Sequence, residues 1–374
     1  MVPFLITLPE ICGLASGARG PLHVGDMNDP IGFAIVGTGA IADIHAGAIR
    51  ACAGARLVAA FSRDVARCAE FAKRHDCRAA SSLDEIVRDA AVHAVCITTP
   101  SGAHADMAVP VLEAGKAVLC EKPLEISLAA VDRILAAEKR GRGVLAGVFQ
   151  MRLGRGARVL KAAIDAGRFG RLTLCSAYVK WWREHSYYTS SPWKGTLRLD
   201  GGGALMNQGI HAVDLLQWLA GLPEEVSAFS GTLAHAGIEA EDTVAASLRF
   251  PGGALGTIEA ATSAYPGSDL KIEIMGERGT AVLVNDRLVR WDFAERLPGD
   301  DAVLASDDAP AIKGGASDPM AMTHEGHRLL VADLADALRA GRAPMIPGAE
   351  ARRAVALVLA IYEAARGGGR VKVS

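Results

Sequence analysis

The chain has 374 residues, of which 50% are hydrophobic, and its formal net charge is −2. This length exceeds that of one ordinary domain, so we expect two domains. A nearly neutral chain gives no electrostatic basis for binding nucleic acid or an anionic membrane, which leaves a small molecule as the expected partner. No uncharged apolar stretch approaches the roughly 18 residues of a membrane span. The seven cysteines are scattered without C-x-x-C spacing, so we predict no metal site and a cytoplasmic location.

Residues 1–27 differ from the rest of the chain. Pro3 and Pro9 interrupt their apolar run, and no basic segment precedes it, as a signal peptide requires. We therefore interpret residues 1–27 as a non-native or disordered extension, with Met27 as the natural start.

A glycine-rich turn follows the first predicted strand. Residues 31–36 form an apolar run, residues 37–42 read GTGAIA, and helical periodicity continues to Arg50. This G-x-G-x-x-A pattern is typical of a dinucleotide-binding strand, turn and helix: its first glycine permits the turn and its second admits the pyrophosphate. The helix N-terminus adds free N–H groups and partial positive charge. We expect a dinucleotide to contact Gly37, Thr38, Gly39, Ala40 and Ile41.

The residues after the second predicted strand, at 55–61, bear on the choice of cofactor. NAD-specific sites usually carry an acidic residue there, which binds the ribose 2′-hydroxyl. This chain has Ser62 and Arg63 instead, which favours a 2′-phosphate and therefore NADP. NAD stays open, because Arg63 could be a solvated surface residue and Asp64 only a cap of the next helix.

Further predicted strands at 94–98 and 117–120 alternate with helices, which indicates a doubly wound α/β domain. Open parallel sheets bind ligands at the carboxyl ends of their strands, so the polar residues that follow these two strands are expected near the cofactor. His104 could instead begin the next helix and face solvent. The predicted cofactor contacts at this edge are Thr99, Pro100, His104, Glu121 and Lys122.

Lys122, in the tripeptide EKP, is the main candidate for catalysis. An ammonium beside the nicotinamide can hydrogen-bond a substrate hydroxyl and stabilise the alkoxide that develops as the carbon loses hydride. Pro123 restricts the backbone, and its peptide bond could be cis. The alternative is a solvated surface lysine.

Residues 200–218 form a glycine loop that leads into an amphipathic helix. Asn207 and His211 are four residues apart and Asp214 follows three later, so a continuous helix places them on one face. Burying such a polar stripe is costly unless it lines a cleft. We predict His211 as a general base, oriented by Asp214. The alternative is an interior histidine with satisfied hydrogen bonds beside a surface carboxylate.

Residues 178–195 gather aromatic and charged side chains in a predicted polar loop. Aromatic rings stack on the C–H faces of sugars, and Arg and Lys bind hydroxyls or carboxylates. We predict Tyr187, Tyr188 and Trp193 as substrate contacts, with Arg152 as a candidate for a substrate anion. The loop could instead be structural and seal two domains together.

These motifs together resemble the Gfo/Idh/MocA family, named for glucose-fructose oxidoreductase and inositol dehydrogenase. The resemblance rests on GTGAIA, EKP and GGGALMNQGIHAVDLLQW, and it covers residues 31–374. It implies a Rossmann domain over residues 28–148 and an α/β domain over residues 149–374. The second domain carries a large, mostly antiparallel open-faced sheet that often forms oligomer contacts, so we expect a homodimer or homotetramer.

The resemblance also maps functional residues. The family's catalytic lysine and histidine correspond to Lys122 and His211, and a Trp-Arg pair near the nicotinamide corresponds to Trp182 and Arg183. Many members carry an aspartate where this chain has Asn207. An amide can bind a hydroxyl but cannot accept its proton, so a proton relay must rest on His211 or Lys122.

The remaining chain predicts mainly architecture. Residues 300–319 are predicted to form an acidic loop. Further strands are predicted at 226–233, 243–250, 254–260, 270–275, 281–284 and 371–373, and helices at 323–340 and 349–366.

We therefore expect an NAD(P)-dependent dehydrogenase that transfers hydride between nicotinamide and a secondary alcohol or ketone of a sugar, sugar acid or cyclitol. One alternative is an NAD-dependent glycoside hydrolase, which oxidises its substrate transiently and then returns the hydride. Another is a non-catalytic dinucleotide-binding sensor, which the presence of both Lys122 and His211 disfavours.

Overall fold

The computed structural model describes residues 29–305 and 324–374, which form two β-sheets with flanking helices. The predicted extension at 1–27 lies outside the described residues, as does most of the predicted acidic loop at 300–319. No helix in the described ranges is both long and apolar enough to cross a membrane.

The first sheet has six parallel strands with helices between them. Its strands are β1 (Ile31–Val36), β2 (Ala55–Phe61), β3 (Arg78–Ala79), β4 (Ala94–Ile97), β5 (Ala117–Cys120) and β6 (Leu145–Gly147). Its helices are α1 (Ala40–Arg50), α2 (Val65–His75), α3 (Leu83–Arg88), α4 (His104–Glu113) and α5 (Leu128–Gly141). The spatial order β3-β2-β1-β4-β5-β6 is that of a dinucleotide-binding fold, which confirms the predicted Rossmann domain.

The central strands of this sheet are apolar throughout because helices cover both of its faces. Every residue of β1, β4 and β5 is buried. Because these strands are parallel, their carboxyl ends lie at the same edge of the sheet. At this edge Gly37 follows β1 and Glu121 follows β5.

The second sheet has eight strands. These are β7 (Leu172–Lys180), β8 (Glu225–Gly231), β9 (Thr243–Arg249), β10 (Leu255–Ala261), β11 (Lys271–Gly276), β12 (Gly279–Val284), β13 (Arg287–Phe293) and β14 (Val371–Lys372). The accompanying helices are α6 (Arg155–Asp165), α7 (His185–Thr189), α8 (Ile210–Ala220), α9 (Asp300–Ala305), α10 (Glu325–Ala340) and α11 (Gly348–Gly367). The order is β13-β12-β11-β7-β10-β9-β8-β14, and only β7 and β10 pair in parallel. The predicted mostly antiparallel sheet is confirmed.

Four local predictions were wrong. The predicted loop at 178–195 begins with the end of β7, which β10 and β11 hold by pairing along both of its sides. Strand β13 follows β12 after a two-residue turn, in which Asn285 adopts a φ of +52°. It was missed because its buried residues Leu288 and Trp291 are three positions apart and break the alternation typical of a strand. Residues Asp300–Ala305 are helical instead of loop. Residues Ala204–Gly209 form a π-helical turn before α8, so the glycine loop does not lead directly into an α-helix.

The two faces of the second sheet differ. One face packs against α8 and α11. On the other face, Leu174 and Leu255 are directly paired neighbours and Phe229 is 81% exposed. This outer face is therefore open and partly apolar.

The C-terminal helices connect the two halves. Helix α10 packs against α1, and the Gly147 N–H at the end of β6 donates to the Ile346 carbonyl at 2.9 Å. This arrangement brings the π-helical turn to the ligand edge of the first sheet, where Lys122 Nζ lies 2.7 Å from the Asn207 carbonyl oxygen.

Candidate active site

The glycine turn after β1 has room for a ligand on one side only. Gly37 has a φ of +100°, and a Cβ there would lie 2.8 Å from the backbone of Thr98 and Thr99. A Cβ on Gly39 would meet no atom within 4 Å. Gly37 is thus required by the close approach of the neighbouring strand, whereas the backbone at Gly39 is open to an approaching group.

Two hydroxyls beside this turn lack partners. Thr38 Oγ1 and Thr99 Oγ1 are enclosed, and neither has a hydrogen-bond partner within residues 29–305 and 324–374. Buried hydroxyls normally have partners, so a polar ligand group would satisfy them. Together with the open backbone at Gly39 and the start of α1, they fit the pyrophosphate and ribose of a dinucleotide. Of the other predicted contacts, Ala40 is exposed, and Ile41 and Pro100 are half-buried.

The residues at the end of β2 are compatible with both NAD and NADP. Arg63 is exposed, and Asp64 caps α2 by accepting the Arg67 N–H at 3.0 Å. Ser62 Oγ accepts the Asp64 N–H at 3.3 Å. An exposed arginine is able to reach a 2′-phosphate, and the absence of an acid here does not prevent a 2′-hydroxyl from binding.

His104 does not face solvent, so that alternative was wrong. Its side chain is buried at the start of α4, with Nδ1 2.9 Å from the Pro123 carbonyl oxygen and Nε2 2.9 Å from that of Thr99. Carbonyl oxygens only accept, so a neutral ring donates to one of them at a time. Burial lowers the pKa of His104 and favours this neutral ring. His104 links the two ligand-edge loops from behind.

Glu121 is likewise turned inward. Its Oε1 accepts from Nε2 of His45 at 2.8 Å and from Nε2 of His327 at 3.3 Å, and its Oε2 accepts the Lys122 N–H at 3.1 Å. Burial acts to raise the pKa of Glu121, but the hydrogen bonds from His327 and His45 outweigh it and hold that pKa well below its usual value. The carboxylate is thus ionised and positions Lys122, and these partners occupy both of its oxygens. A contact between Glu121 and the cofactor stays a prediction.

His45, Glu121 and His327 bring three metal-ligand atoms within 4.8 Å of one another. Both rings, however, direct Nε2 at the same carboxylate oxygen, and both Nδ1 atoms are enclosed without a partner in the described part of the chain. Histidine ligands of metals usually donate the other ring N–H to an acceptor. We therefore interpret the cluster as a hydrogen-bonded anchor, and the absence of a metal site stays a prediction.

Lys122 is partly enclosed and lies in a cis peptide with Pro123. Its Nζ donates to the Asn207 carbonyl oxygen at 2.7 Å, which uses one of its three donors. Burial lowers the pKa of Lys122; Glu121 and Asp200 oppose this shift, and Arg183 adds to it. The side chain therefore loses its proton more readily than an ordinary lysine, as a group that exchanges protons with a hydroxyl requires.

His211 is 8% exposed on α8. Burial first, and then the positive charge of Lys122, lower its pKa to about 3. Its Nδ1 is enclosed without a partner among the residues described, which leaves Nε2 as the nitrogen that can reach a ligand. The ring is neutral at ordinary pH, so it can accept a hydrogen bond from a hydroxyl while Lys122 carries the charge.

Asp214 and Arg152 bind each other. Arg152 Nε and Nη2 donate to the two oxygens of Asp214 at 2.7 and 2.6 Å, and the two side chains are 4% and 1% exposed. Glu350 adds a 3.5 Å contact to Arg152. The predictions that Asp214 orients His211 and that Arg152 binds a substrate anion were both wrong, because each group is already neutralised by the other.

Asn207 faces two ways. Its backbone carbonyl oxygen accepts a hydrogen bond from Lys122 Nζ, and its side-chain Nδ2 donates to Asp200 Oδ1 at 2.5 Å. Asn207 and His211 do not share one face of a single α-helix, because Asn207 lies in the π-helical turn. Instead, the turn presents the Asn207 backbone to Lys122.

Asp200 is the residue that sequence reasoning missed. It is 1% exposed, and it accepts the Gly195 N–H at 2.8 Å as well as the Asn207 amide. Burial raises its pKa to about 7, while the hydrogen bonds and the charge of Lys122 limit this rise. The signal was present as a lone carboxylate before three glycines, but only the fold reveals that it lies beside Lys122.

The aromatic segment divides into packing and ligand-facing residues. Tyr188 is buried, and its hydroxyl hydrogen-bonds Thr262 at 2.7 Å, which makes it a packing residue instead of the predicted substrate contact. Tyr187 and Trp193 are half-buried. The Tyr187 hydroxyl accepts from Gln208 Nε2 at 2.6 Å.

The predicted Trp-Arg pair, Trp182 and Arg183, lies next to Tyr265 and Gln208. Trp182 is half-buried, with its ring 5.5 Å from that of Tyr265. Arg183 is 3% exposed; its guanidinium donates to the Trp182 carbonyl at 2.9 Å and to Gln208 Oε1 at 3.0 Å. Its charge acts on Lys122, so the pair lies at the same site.

Comparisons with known proteins agree with this geometry. Residues 31–148 match the model of the oxidoreductase family with an NAD-binding Rossmann fold, and residues 157–282 match the GFO/IDH/MocA C-terminal domain. The chain is 30% identical to myo-inositol 2-dehydrogenase of Thermotoga maritima over 68% of this chain and 75% of that protein. It is 31% identical to trans-1,2-dihydrobenzene-1,2-diol dehydrogenase of Bos taurus over 62% and 66%.

A solved structure is also similar. The WlbA dehydrogenase from Bordetella pertussis, in complex with NADH and UDP-GlcNAcA, superposes with a TM-score of 0.82 and 34% identity. The match covers 92% of this chain and 99% of that one. The glycine turn, the EKP lysine and the later histidine therefore occur in a chain that belongs to the Gfo/Idh/MocA family of NAD-binding oxidoreductases.

Proposed function

We propose that this protein transfers a hydride between a nicotinamide cofactor and a secondary alcohol or ketone of a sugar, sugar acid or cyclitol. One observation carries the proposal: Lys122 Nζ is held 2.7 Å from the Asn207 backbone carbonyl oxygen beside a neutral, buried His211. A lysine with a lowered pKa and a neutral imidazole can together bind and deprotonate a hydroxyl. The relatives named above act on inositol and on a dihydrodiol.

The cofactor, bound at Gly39 and Thr38, would supply the hydride acceptor at its nicotinamide C4. The chain's own residues do the rest. Lys122 is a cation in the resting site, and its lowered pKa makes the unprotonated amine accessible. In the oxidative direction that amine takes the hydroxyl proton and becomes an ammonium that stabilises the developing alkoxide. His211 accepts a hydrogen bond from the same or a neighbouring hydroxyl. Glu121 and the Asn207 carbonyl hold Lys122 in place.

The finer choice between NADP and NAD is part of this proposal. Ser62 and Arg63 favour NADP, whereas the solved relative holds NADH. Titrating the protein with both reduced cofactors and following the fluorescence of the nicotinamide tests this choice. If Arg63 binds the 2′-phosphate, Arg63→Ala weakens NADPH binding about tenfold and leaves NADH binding unchanged.

Two broader predictions belong here as well. The open outer face of the second sheet, with Leu174, Leu255 and Phe229 exposed, supports a homodimer or homotetramer formed through that sheet. Sedimentation of the purified chain and of Phe229→Asp tests this assembly. A cytoplasmic location also stays a proposal, supported by the six cysteines of the described residues, all of which have free thiols.

The function itself is tested by following absorbance at the reduced nicotinamide band. Purified protein is mixed with a panel of sugars, sugar acids and inositols, with NAD and NADP in parallel and Lys122→Ala as the blank. Reduction that the variant lacks supports the dehydrogenase. No reduction across the panel, with cofactor released on denaturation, would replace it by the hydrolase that returns its hydride. Tight cofactor binding without any turnover, together with Lys122→Ala and His211→Ala variants that leave all measurable behaviour unchanged, would favour the sensor.

A further inference from the structure

The substrate side of the site carries an excess of positive charge. Arg183 and Lys194 both lie over the Tyr187 ring, at 5.6 and 3.8 Å from its centre. The charge of Arg183 also lowers the pKa of Lys122 and the pKa of Lys194. The nearby carboxyl groups balance this only in part. Glu121 is ionised but turned inward, and the pKa of Asp200 is about 7, so it carries only part of a charge near neutral pH.

Lys194 differs from Lys122 and Arg183 because, unlike them, its side chain donates no hydrogen bond to another described residue. Its Nζ lies 3.8 Å from the centre of the Tyr187 ring, a cation–π contact. Within residues 29–305 and 324–374 it forms no ion pair and no hydrogen bond, although its side chain is half-buried. Burial is the main cause that lowers its pKa, and Asp200 only partly offsets it. Enclosing an ammonium without a carboxylate is costly.

The position of Lys194 is set by the site itself. The next residue, Gly195, donates its N–H to Asp200 at 2.8 Å and has a φ of +69°. Asp200 in turn binds the Asn207 amide, and the Asn207 carbonyl binds Lys122. A chain of three hydrogen bonds thus connects the backbone beside Lys194 to the catalytic lysine.

We propose that the substrate carries a carboxylate and that Lys194 binds it, with the Tyr187 ring as the platform on which the ammonium rests. This inference rests on the proposed function and narrows its substrate class to acidic sugars. An anion at this place relieves the repulsion among the three cations. The carboxylate belongs either to a free sugar acid or to the sugar of a nucleoside diphosphate sugar; the chemistry at Lys194 is the same.

The test compares substrate pairs that differ only in the carboxylate. The pairs are D-glucuronate with D-glucose, D-gluconate with D-glucitol, and UDP-glucuronate with UDP-glucose. For each compound, kcat/KM is measured by nicotinamide absorbance, and binding to the NADH-loaded protein is measured by tryptophan fluorescence, for which Trp193 is adjacent to Lys194. We expect the acidic member of at least one pair to be favoured at least tenfold in both measurements.

The variant Lys194→Met removes this preference, because KM for the acid rises about tenfold or more while kcat and the neutral compound change little. Lys194→Arg keeps the charge and most of the preference. Lys180→Met is the matched control, since Lys180 lies nearby in the chain but is exposed and pairs with Glu259. It should leave every ratio unchanged.

Each result bears on the two proposals separately. Lys122-dependent turnover with neutral and acidic members equally good would overturn the carboxylate proposal and keep the proposed function. So would a Lys194→Met variant that weakens both members alike. Absence of turnover in all pairs counts against the proposed function, and the fluorescence titration then decides the carboxylate proposal: equal binding of both members overturns it.

Discussion

The ion pair between Arg152 and Asp214 allows the corrected role of both residues to be tested. Replacing Arg152 with methionine keeps the aliphatic volume but leaves the Asp214 carboxylate buried, with Gln217 Nε2 at 3.2 Å as its remaining polar contact. Removing one partner of a buried pair costs about 3–5 kcal/mol, because the other charge stays desolvated. Urea unfolding reports this loss, and Trp218, whose ring lies 5.5 Å from the Arg152 guanidinium, is a local fluorescent reporter.

The pH dependence has a defined sign. Burial already raises the pKa of Asp214 in the folded protein, and Arg152 limits that rise. Without Arg152 the folded-state pKa rises further, so the folded protein holds a proton that the unfolded chain releases. The deficit of Arg152→Met therefore shrinks as the pH falls through that raised pKa. The double variant Arg152→Met with Asp214→Leu should recover most of the lost stability at neutral pH.

The reasoning is refuted if Arg152→Met unfolds within about 1 kcal/mol of the wild type, a loss typical of exposed pairs, and instead raises KM for acidic substrates alone. Arg152 would then bind the substrate anion, as the sequence suggests, and the role of Lys194 would be in doubt. Arg155→Met, a change on the nearby surface, is the control for the substitution itself.

Three further substitutions probe the cofactor turn, the missed carboxyl and the anchor of Lys122. Gly39→Ala should fold normally, because its Cβ meets no atom, yet weaken cofactor binding at least tenfold by occupying the open space; unchanged affinity in a fluorescence titration would contradict this. Asp200→Asn should remove the contribution by which stability falls as the pH rises from about 4 to about 7, since only the folded state keeps the Asp200 proton in that window. Urea midpoints at pH 5 and pH 7.5 measure it, and identical pH dependence in variant and wild type would exclude the raised pKa. His327→Gln removes one imidazole donor from Glu121 and should lower kcat about tenfold with little change in cofactor affinity. The exposed His324→Gln is its control, and an equal loss there would show a merely structural effect.

Much of the fold follows from local patterns in the sequence. The apolar run of β1, the glycine turn and the alternation with helices predict a Rossmann sheet, because fully buried parallel strands need continuous apolar residues. The strands of the second sheet follow from alternation of buried and exposed residues, as in β9. Strand β7 was not predicted, and its end at 178–180 was assigned to a loop because Tyr178 and Lys180 on its outer face resemble loop residues.

The sequence predicts the motifs of the site, but it does not predict which side chains bind one another. Lys122 and His211 are recognisable because each stands in a motif with a defined chemical role. Which partner a side chain finds depends on distant segments, as with Asp214 and Arg152, separated by 62 positions. The same holds for Glu121, which binds histidines from α1 and α10. Neither periodicity nor spacing contains that information.

The most direct test of the account is a single-turnover experiment on Lys122→Ala. Cofactor affinity is first measured by fluorescence, and the loaded protein is then mixed with the best substrate while absorbance of reduced nicotinamide is followed. The account predicts nearly unchanged cofactor affinity with hydride transfer slowed by about 10²- to 10⁴-fold. Lys116→Ala should behave as wild type, since among the described residues Lys116 Nζ donates to the Asp89 and Val92 carbonyls, away from the site. Hydride transfer at the wild-type rate in Lys122→Ala would contradict the central role of Lys122.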